Sequence, residues 1–459
     1  MIQKSEKGQA LILIALAMVG LVAFTALAVD GSMIFSDRRH AQNAADTASL
    51  AAALARIRGQ DYSAAALARA SSNGYETDTD STVEVYLCSD PQATCQGLLP
   101  AGAEPSEYIQ VKITSIVRTT FARILGRQQV TNVVTAVARA KIGVPGPLFD
   151  GAALAALAPT GTDTIYGNGN IFLDVNNSGV FDNSSSNCAM GTVGNGSYTV
   201  DTAFAVVGTA CQTGNPVLNG PVQQAAQIPY PPTINIPTPS IACSGNGSIS
   251  QSGVDYTFSP GNFNGINITT SGNVTFTPGN YCFNGGVDIR GTADVTANSV
   301  NFLITSGDFQ TNGSSTFTTC NNVLVHINGG SGMHFNGNST NTCTGITFFA
   351  STGSVTWNGN VANTFTAPSS GDYAHVLIYL PYENPSALSI NGNSGNELTG
   401  SIIAVSSPVT ISGNSGTTGF HSQIIGYTIA LQGGSQTTIN YVPEEQYSQT
   451  DPTVIQLTK

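Results

Sequence analysis

Residues 354–360 read SVTWNGN, and the way this stretch recurs decides the fold. A hydrophobic or β-favouring residue runs into Asn-Gly as FNG at 283–285, TNG at 311–313, FNG at 335–337, WNG at 357–359 and ING at 390–392, with ISG at 411–413. Short apolar runs lie between: VNFLIT (300–305), VLVHIN (323–328), GITFFA (345–350), HVLIYL (375–380), GSIIAV (400–405) and SQIIGY (422–427). The corner glycines at 313, 337, 359, 392, 413 and 433 stand 24, 22, 33, 21 and 20 residues apart. Upstream, TFSPGNF (257–263) returns as TFTPGNY (275–281). A period near twenty made of short strands predicts a solenoid, because one turn cannot bury its own apolar side and stacked turns can. Parallel strands then lie one above another at ~4.8 Å. The corners demand left-handed φ, which Gly adopts freely and Asn tolerates. Asn284, Asn312, Asn336, Asn358 and Asn391 are expected to stack as a hydrogen-bonded ladder. Trp357, the single tryptophan, is expected at a strand end in the core rather than in a ligand site.

Composition agrees with a folded, weakly charged chain. Charged residues are 9% of the 459, hydrophobic ones 41%, and glycine numbers 50. Enough apolar surface is present to bury a core. Of the 15 Lys and Arg, 13 lie at or before Lys141, and only Arg290 and Lys459 follow. With 12 acidic residues before position 142 and 15 after it, the first part is near +1 and the second near −13. A partner nucleic acid is not expected, since phosphate neutralisation needs clustered basic residues.

Ala10–Val29, ALILIALAMVGLVAFTALAV, is 20 residues without a charge, the length of a bilayer-spanning helix. Lys4 and Lys7 precede it and Arg38 and Arg39 follow, so the basic flanks tie. All eight cysteines come later, from Cys88 to Cys343. An even count after a membrane segment suggests an oxidising compartment, so the N-terminus is expected in the cytoplasm and the rest outside it. The span is read as an uncleaved single-pass anchor. Two alternatives stay open: a cleaved signal ending at Ala26-Leu27-Ala28, and a prepilin-type cut after Gly8. Type IV prepilins resemble this start, but they place Glu where Leu13 stands.

Beyond the span, alanines at 41, 44, 45, 48, 51, 52 and 55 follow the spacing of one helix face, with Gly20 and Gly31 as allowed bends. This stripe suits packing against the chain's own small domain or against other pilin-like helices. The run from Ala28-Val29-Asp30 to Gln42-Asn43-Ala44-Ala45-Asp46 resembles the N-terminal region of TadG-like proteins of the tight-adherence (Flp) pilus-assembly group. The resemblance covers about the first 55 residues. It implies membrane anchoring and a link to surface adhesion, with pilus or secretion-system components as partners, and it does not imply an enzyme.

VEVYL (83–87), YIQVKIT (108–114) and VTNVVTAVARAKI (130–142) read as strands and 62–73 as a helix, giving a small α+β, pilin-like unit. The expected organisation is a cytoplasmic tail (1–9), a transmembrane helix (10–29), the α+β domain (30–142), a linker (143–160), a parallel β-solenoid (161–443) and a C-terminal tail (444–459). A proline-rich stretch within IPYPPTINIPTPSIAC (228–243) interrupts the solenoid at 228–242. The fold class is therefore mainly β, with an N-terminal helix and a large parallel β-helix. The tail's Pro260-Gly261-Asn262, Pro278-Gly279-Asn280-Tyr281 and Ser412-Gly413-Asn414 turns also resemble the β-helical regions often joined to this N-terminal type. Cys88 and Cys95 are expected to pair locally, and Cys320 and Cys343 stand one turn apart. Cys188–Cys211 and Cys243–Cys282 are further candidate pairs among the 105 connectivities that eight cysteines allow.

Signals for chemistry are weak. His40, His326, His334, His375 and His421 form no paired metal spacing, and His326 reads as a structural residue within a strand. No cofactor is expected, and no metal or catalytic residue is assigned. Asp288, Arg290, Asp294 and Asp308 fall within about one turn. Paired carboxylates on such a solenoid would suit acid–base work on a sugar, the carbohydrate-active alternative. A glycan-binding module would instead show a row of exposed aromatics, and surface glycans are its expected partner. Asp174, Asn176, Ser178, Gly179 and Asp182 resemble the front of a calcium loop, although position 12 is Ser185 rather than Glu.

Overall fold

A computed structural model describes residues 7–100, 103–143, 145–359, 362–392, 396–450 and 453–458. The chain divides into two units, one of residues 1–144 with 450–459 and one of residues 145–449. The last residue of the opening heptapeptide, Asn360, lies outside the described residues.

The first unit is organised by one helix, α1, Lys7–Ile57, of 51 residues. At 1.5 Å per residue it is about 77 Å long. It runs unbroken through Gly20 and Gly31, because an interior glycine weakens a helix by ~1 kcal/mol without breaking it. Its first half exposes a continuous apolar surface, including Leu13, Leu16, Met18, Leu21 and Phe24. The second half buries the alanine stripe. Ala41, Ala44, Ala45, Ala48 and Ala52 are fully buried against Ile109, Val111, Ile113 and Ala136. Small side chains let the helix approach closely both the sheet and Ala66 and Ala70 of the next helix. The second helix, α2 (Tyr62–Ser72), is capped by Asp61, whose carboxylate accepts from Ser63 N at 2.9 Å and Ala64 N at 3.0 Å.

The sheet pairs Ser81–Leu87, Tyr108–Arg118 and Gln129–Lys141 antiparallel. Its fourth strand is Val454–Leu457, which pairs with Ala138–Lys141. Residues that read as a C-terminal tail thus complete the first unit's sheet. A run of only four residues carries too little alternation to announce itself. Cys88–Cys95 closes a turn beside this sheet.

The second unit is a mainly parallel β-solenoid of about 12 turns. Each turn supplies three short strands, one to each of three stacked sheets. One sheet stacks 279–283 on 300–304, then 323–327, 346–350, 376–380, 401–404 and 424–426. The stack then continues into 154–156, 180–182, 204–206 and 222–224. The other two sheets do the same, since Ile429↔Ile165 and Thr437↔Leu173 are register partners. The chain therefore enters the solenoid in its middle and winds outward from 154 to 224. It then crosses to the far end and winds back, so that its last turn lies against its first.

The proline-rich stretch makes that crossing. Residues 225–243 run as an extended strap along the outer face of one sheet. Beneath it lies an outward row in register that includes Cys282, Phe349, Tyr379, Ile403, Ile425 and Ala155. Ile228, Ile234 and Ile236 pack onto this apolar side. Strap carbonyls are met by side chains: Tyr447 Oη donates to Asn235 O at 3.0 Å and Tyr373 Oη to Pro237 O at 3.1 Å. Prolines suit this role because they bring no N–H that would need a buried partner. Cys243–Cys282 ties down the strap's far end.

The interior is filled from all three sheets. Trp357 is fully buried, with ring centroids of Phe335, Phe348 and Phe365 at 6.1, 6.1 and 5.7 Å. Cys320–Cys343 and Cys188–Cys211 each join neighbouring turns. The corner ladder exists and is shifted at one end. Asn336 donates to Asn312 at 3.2 Å, Asn358 to Asn336 at 3.2 Å and Asn391 to Asn358 at 2.9 Å, and Ser412 bonds Asn391. Below Asn312 the next member is Asp288, at 3.0 Å, rather than Asn284. Asn284 sits one corner earlier, where it accepts from Thr305. At Gly337, φ is +107°, and a Cβ there would lie 1.9 Å from Gly313 O. Stacked corners at this spacing exclude any side chain.

Candidate functional site

The carboxylates of the solenoid are separated by its geometry. Asp288 and Asp308 stand on one sheet, in the 287–291 and 308–311 strands, whereas Asp294 begins a strand of the next sheet. Asp288 is buried and fully engaged, accepting from Arg290 Nε at 2.8 Å and from Asn312 Nδ2 at 3.0 Å. A carboxylate held in an ion pair at the foot of a corner ladder is a structural end-cap. Asp294 is thereby parted from the other two, while Asp288 and Asp308 alternate with the core residues Val287, Ile289 and Phe309 and lie on the outer side of one sheet, two register positions apart.

The calcium-like stretch is likewise taken apart. Asp174 stands on the strand Phe172–Asn176 and Asp182 ends Val180–Asp182, strands of two different sheets. Asn176 donates to Asn440 at 2.8 Å, and Ser178 Oγ donates to Gly151 O at 2.6 Å. Asp182 is wholly buried and accepts from Thr164 Oγ1 at 2.7 Å and Ser184 N at 3.0 Å. Burial pushes its carboxyl up from the usual range, the reverse of what a cation would do. Among the described residues no group of three or more His, Cys, Asp or Glu could hold a metal ion.

His326 belongs to the outward row beneath the strap. It is buried, lies edge-on to Phe349 at 5.1 Å, and its Nε2 bonds Ser351 Oγ at 2.9 Å. Burial holds it down from 6.5 to about 4. The sign of the consequence follows. Above pH 6.5 neither state carries the proton. As pH falls from 6.5 towards 4, the unfolded chain binds a proton that the folded chain refuses, so stability declines. At pH 4.5 the loss from this one group is about 2–3 kcal/mol. Urea midpoints at pH 7.5 and 4.5 check it: His326→Gln should lose less stability than the parent by that amount.

The first unit has a different kind of site, the joint between the apolar half of α1 and its sheet domain. Asp30, just past the apolar run, accepts three backbone N–H groups: Thr120 at 2.9 Å, Phe121 at 3.0 Å and Ala122 at 2.6 Å. About two turns later, Asp37 accepts from Ser115 Oγ at 2.6 Å, Asn132 Nδ2 at 2.7 Å and Tyr75 Oη at 3.0 Å. Burial and the neighbouring Asp37 push Tyr75 up beyond the ordinary tyrosine range. Two carboxylates thus fix the domain to the helix where it leaves the apolar segment. The sequence showed these aspartates inside a family-like run, but gave no sign that both are latches.

Residues 8–56 match the family model described as "Putative Flp pilus-assembly TadE/G-like", and residues 38–138 match "Putative Tad-like Flp pilus-assembly". The N-terminal unit carries Tad-type Flp pilus-assembly domains. The two Tad-type matches cover α1, α2 and the first three strands of the sheet, and the solenoid lies outside both. Asp30, Asp37, Tyr75, Ser115 and Asn132 all fall within the Tad-type stretch. Its α1 is the one described helix long and apolar enough to cross a membrane, which fits a single-pass protein. No curated protein and no solved structure proved similar to the chain.

Proposed function

We propose that this chain is a membrane-anchored, exported surface protein of the tight-adherence pilus-assembly type. Its solenoid serves a structural or adhesive role outside the cytoplasm, and its role is non-enzymatic. The observation that carries this reading is the Tad-type unit built on one membrane-length helix and latched to it by Asp30 and Asp37. Four disulfides, including two between neighbouring solenoid turns, support exposure to an oxidising compartment. With one Arg and 15 acidic residues after position 142, apart from Lys459, the exported part presents an acidic surface. The carbohydrate-active alternative draws no support from the placement of Asp288, Asp294 and Asp308.

Deleting the gene should lower surface attachment or the number of pili per cell, and a full-length copy should restore both. Unchanged attachment and unchanged pilus number would overturn the pilus-assembly reading. N-terminal sequencing of membrane, medium and sheared-surface fractions tests the anchor. An intact start in the membrane fraction is expected. A start at Val29 in the medium, or at Gln9 in the sheared fraction, would replace the uncleaved anchor with a secreted protein or a pilin-like subunit.

A further inference from the structure

The hairpin joining Tyr108–Arg118 to Gln129–Lys141 points at the apolar half of α1. On the outgoing strand Ser115 bonds Asp37, and five residues further on Thr120, Phe121 and Ala122 bond Asp30. On the returning strand Asn132 bonds Asp37 again. The hairpin therefore runs down the helix from Asp37 to Asp30, about 10 Å at 1.5 Å per residue. Its tip, the short helical turn Ala122–Leu125 with its flanks, comes level with the end of the charge-free run Ala10–Val29. If that run crosses a bilayer, the tip stands at the bilayer surface.

The tip is composed for that place. Ile124 is 82% exposed, the most exposed large apolar side chain among the described residues, and Phe121 is 39% exposed. Val29 and Met33, which flank Asp30 on α1, are exposed as well. The stretch TFARILGRQQ (120–129) contains no carboxylate and two arginines, Arg123 and Arg127. Both arginines are exposed, and neither forms an ion pair among the described residues. Apolar side chains with adjacent cations suit the boundary between headgroups and acyl chains, where guanidinium groups meet lipid phosphates. The backbone is prepared too. Asp30 is 3% exposed and takes three amides of the tip, groups that would be costly to bring unpaired towards lipid.

We propose that this hairpin tip is a second membrane contact: Phe121 and Ile124 enter the leaflet from which α1 emerges, and Arg123 and Arg127 bind its lipid phosphates. The inference rests on the single-pass reading and extends it. The occupant is lipid rather than a protein because the Asp30 latch sets the tip's height at the end of the apolar run. A lone spanning helix is free to tilt and to turn about its axis. A contact beside the axis restrains both motions and fixes how the sheet stands on the membrane.

The test uses the full-length protein in nanodiscs of phosphatidylglycerol and brominated phosphatidylcholine, with bromine either near the headgroup or near the chain end. Phe121→Trp, Leu21→Trp and Leu67→Trp each add one fluorescent reporter, while Trp357 is enclosed in protein and out of the quencher's reach. Leu67 is the reference away from lipid, because it lies on α2, which Asn73 ties to Thr47, about 25 Å along α1 from Asp30. Bromine near the headgroup should quench Phe121→Trp, bromine near the chain end should quench Leu21→Trp, and neither should quench Leu67→Trp. Adding Ile124→Asp, at a site too exposed to disturb the fold, should abolish quenching of the Phe121 reporter. Replacing phosphatidylglycerol with neutral lipid should lower that quenching, and Arg123→Gln with Arg127→Gln should remove the difference. An unquenched Phe121→Trp beside a quenched Leu21→Trp would overturn the tip contact and leave the anchor standing. An unquenched Leu21→Trp would overturn both. Quenching unchanged by Ile124→Asp would overturn the insertion, and quenching indifferent to anionic lipid would overturn the arginine contacts. A Phe121 reporter shielded from brominated lipid and from aqueous iodide alike would show that protein covers the tip, which would also overturn the proposal.

Discussion

Trp357→Ala should destabilise the solenoid by about 3–5 kcal/mol, the cost of emptying a fully enclosed aromatic site. The side chain is 0% exposed and sits among Phe335, Phe348 and Phe365, rings drawn from its own turn and the turn before. The surrounding strands are fixed by hydrogen bonds on both sides, so they have little freedom to collapse into the void. Trp357→Phe should cost far less. The indole Nε1 makes no hydrogen bond, so only volume is lost and no partner is orphaned. Because each turn contacts only its neighbours, the alanine variant should open locally. Limited proteolysis should cut it between residues 350 and 375 at urea concentrations that leave the parent intact. Equal resistance of the two proteins would show that this ring cluster does not hold the stack.

Gly337→Ala is expected to cost about 3 kcal/mol or more, although it adds a single methyl group. Two costs combine. The residue has φ of +107°, where an L side chain is strained by ~1–3 kcal/mol. The new Cβ would also lie 1.9 Å from the Gly313 carbonyl oxygen, a backbone atom that can move only if two turns part. Gly434→Ala is the matched control. A Cβ there meets nothing within 4 Å, so its effect should stay within about 0.5–1 kcal/mol. Trp357 stands on the turn next to Gly337, so its fluorescence reports the relevant part of the stack during urea titration. Similar midpoints for the two glycine variants would refute the steric account of the corner column.

Much of this architecture could be read before any coordinates. Period-two strands and Asn-Gly corners determine a solenoid because both are local: each residue's neighbours in the chain specify its conformation. The inter-turn disulfides follow the same logic, since 23 residues between Cys320 and Cys343 is one turn. What escaped was non-local. The pairing of 424–440 with 154–176 leaves no mark in either segment, because any two parallel turns of this composition could stack. For the same reason the strap read as an interruption, although its prolines make it a connector that needs no ladder. Asn284 was assigned to the corner column by its motif, yet it follows a strand of another sheet, and Asp288, the register partner of Gln310, reaches Asn312 with its side chain instead. Asp30 and Asp37 looked like parts of a family-like run, and only the folded sheet shows the amides and hydroxyls they gather.

The order of winding has a consequence for how the chain is made. Asn176 is joined to Asn440, 264 residues later in the chain. Synthesis delivers residues 154–224 first, but one side of that section waits for the final turn. Until then its strands present a bare row of amides and carbonyls, the kind of edge that recruits other strands. Contacts this distant in sequence form slowly. Closure of the solenoid is therefore a last event rather than a gradual one. A chain that stops before residue 424 would contain nearly every turn and still lack the one that seals it. Proteases could then tell finished molecules from broken ones by the two facing edges that the missing turn leaves bare.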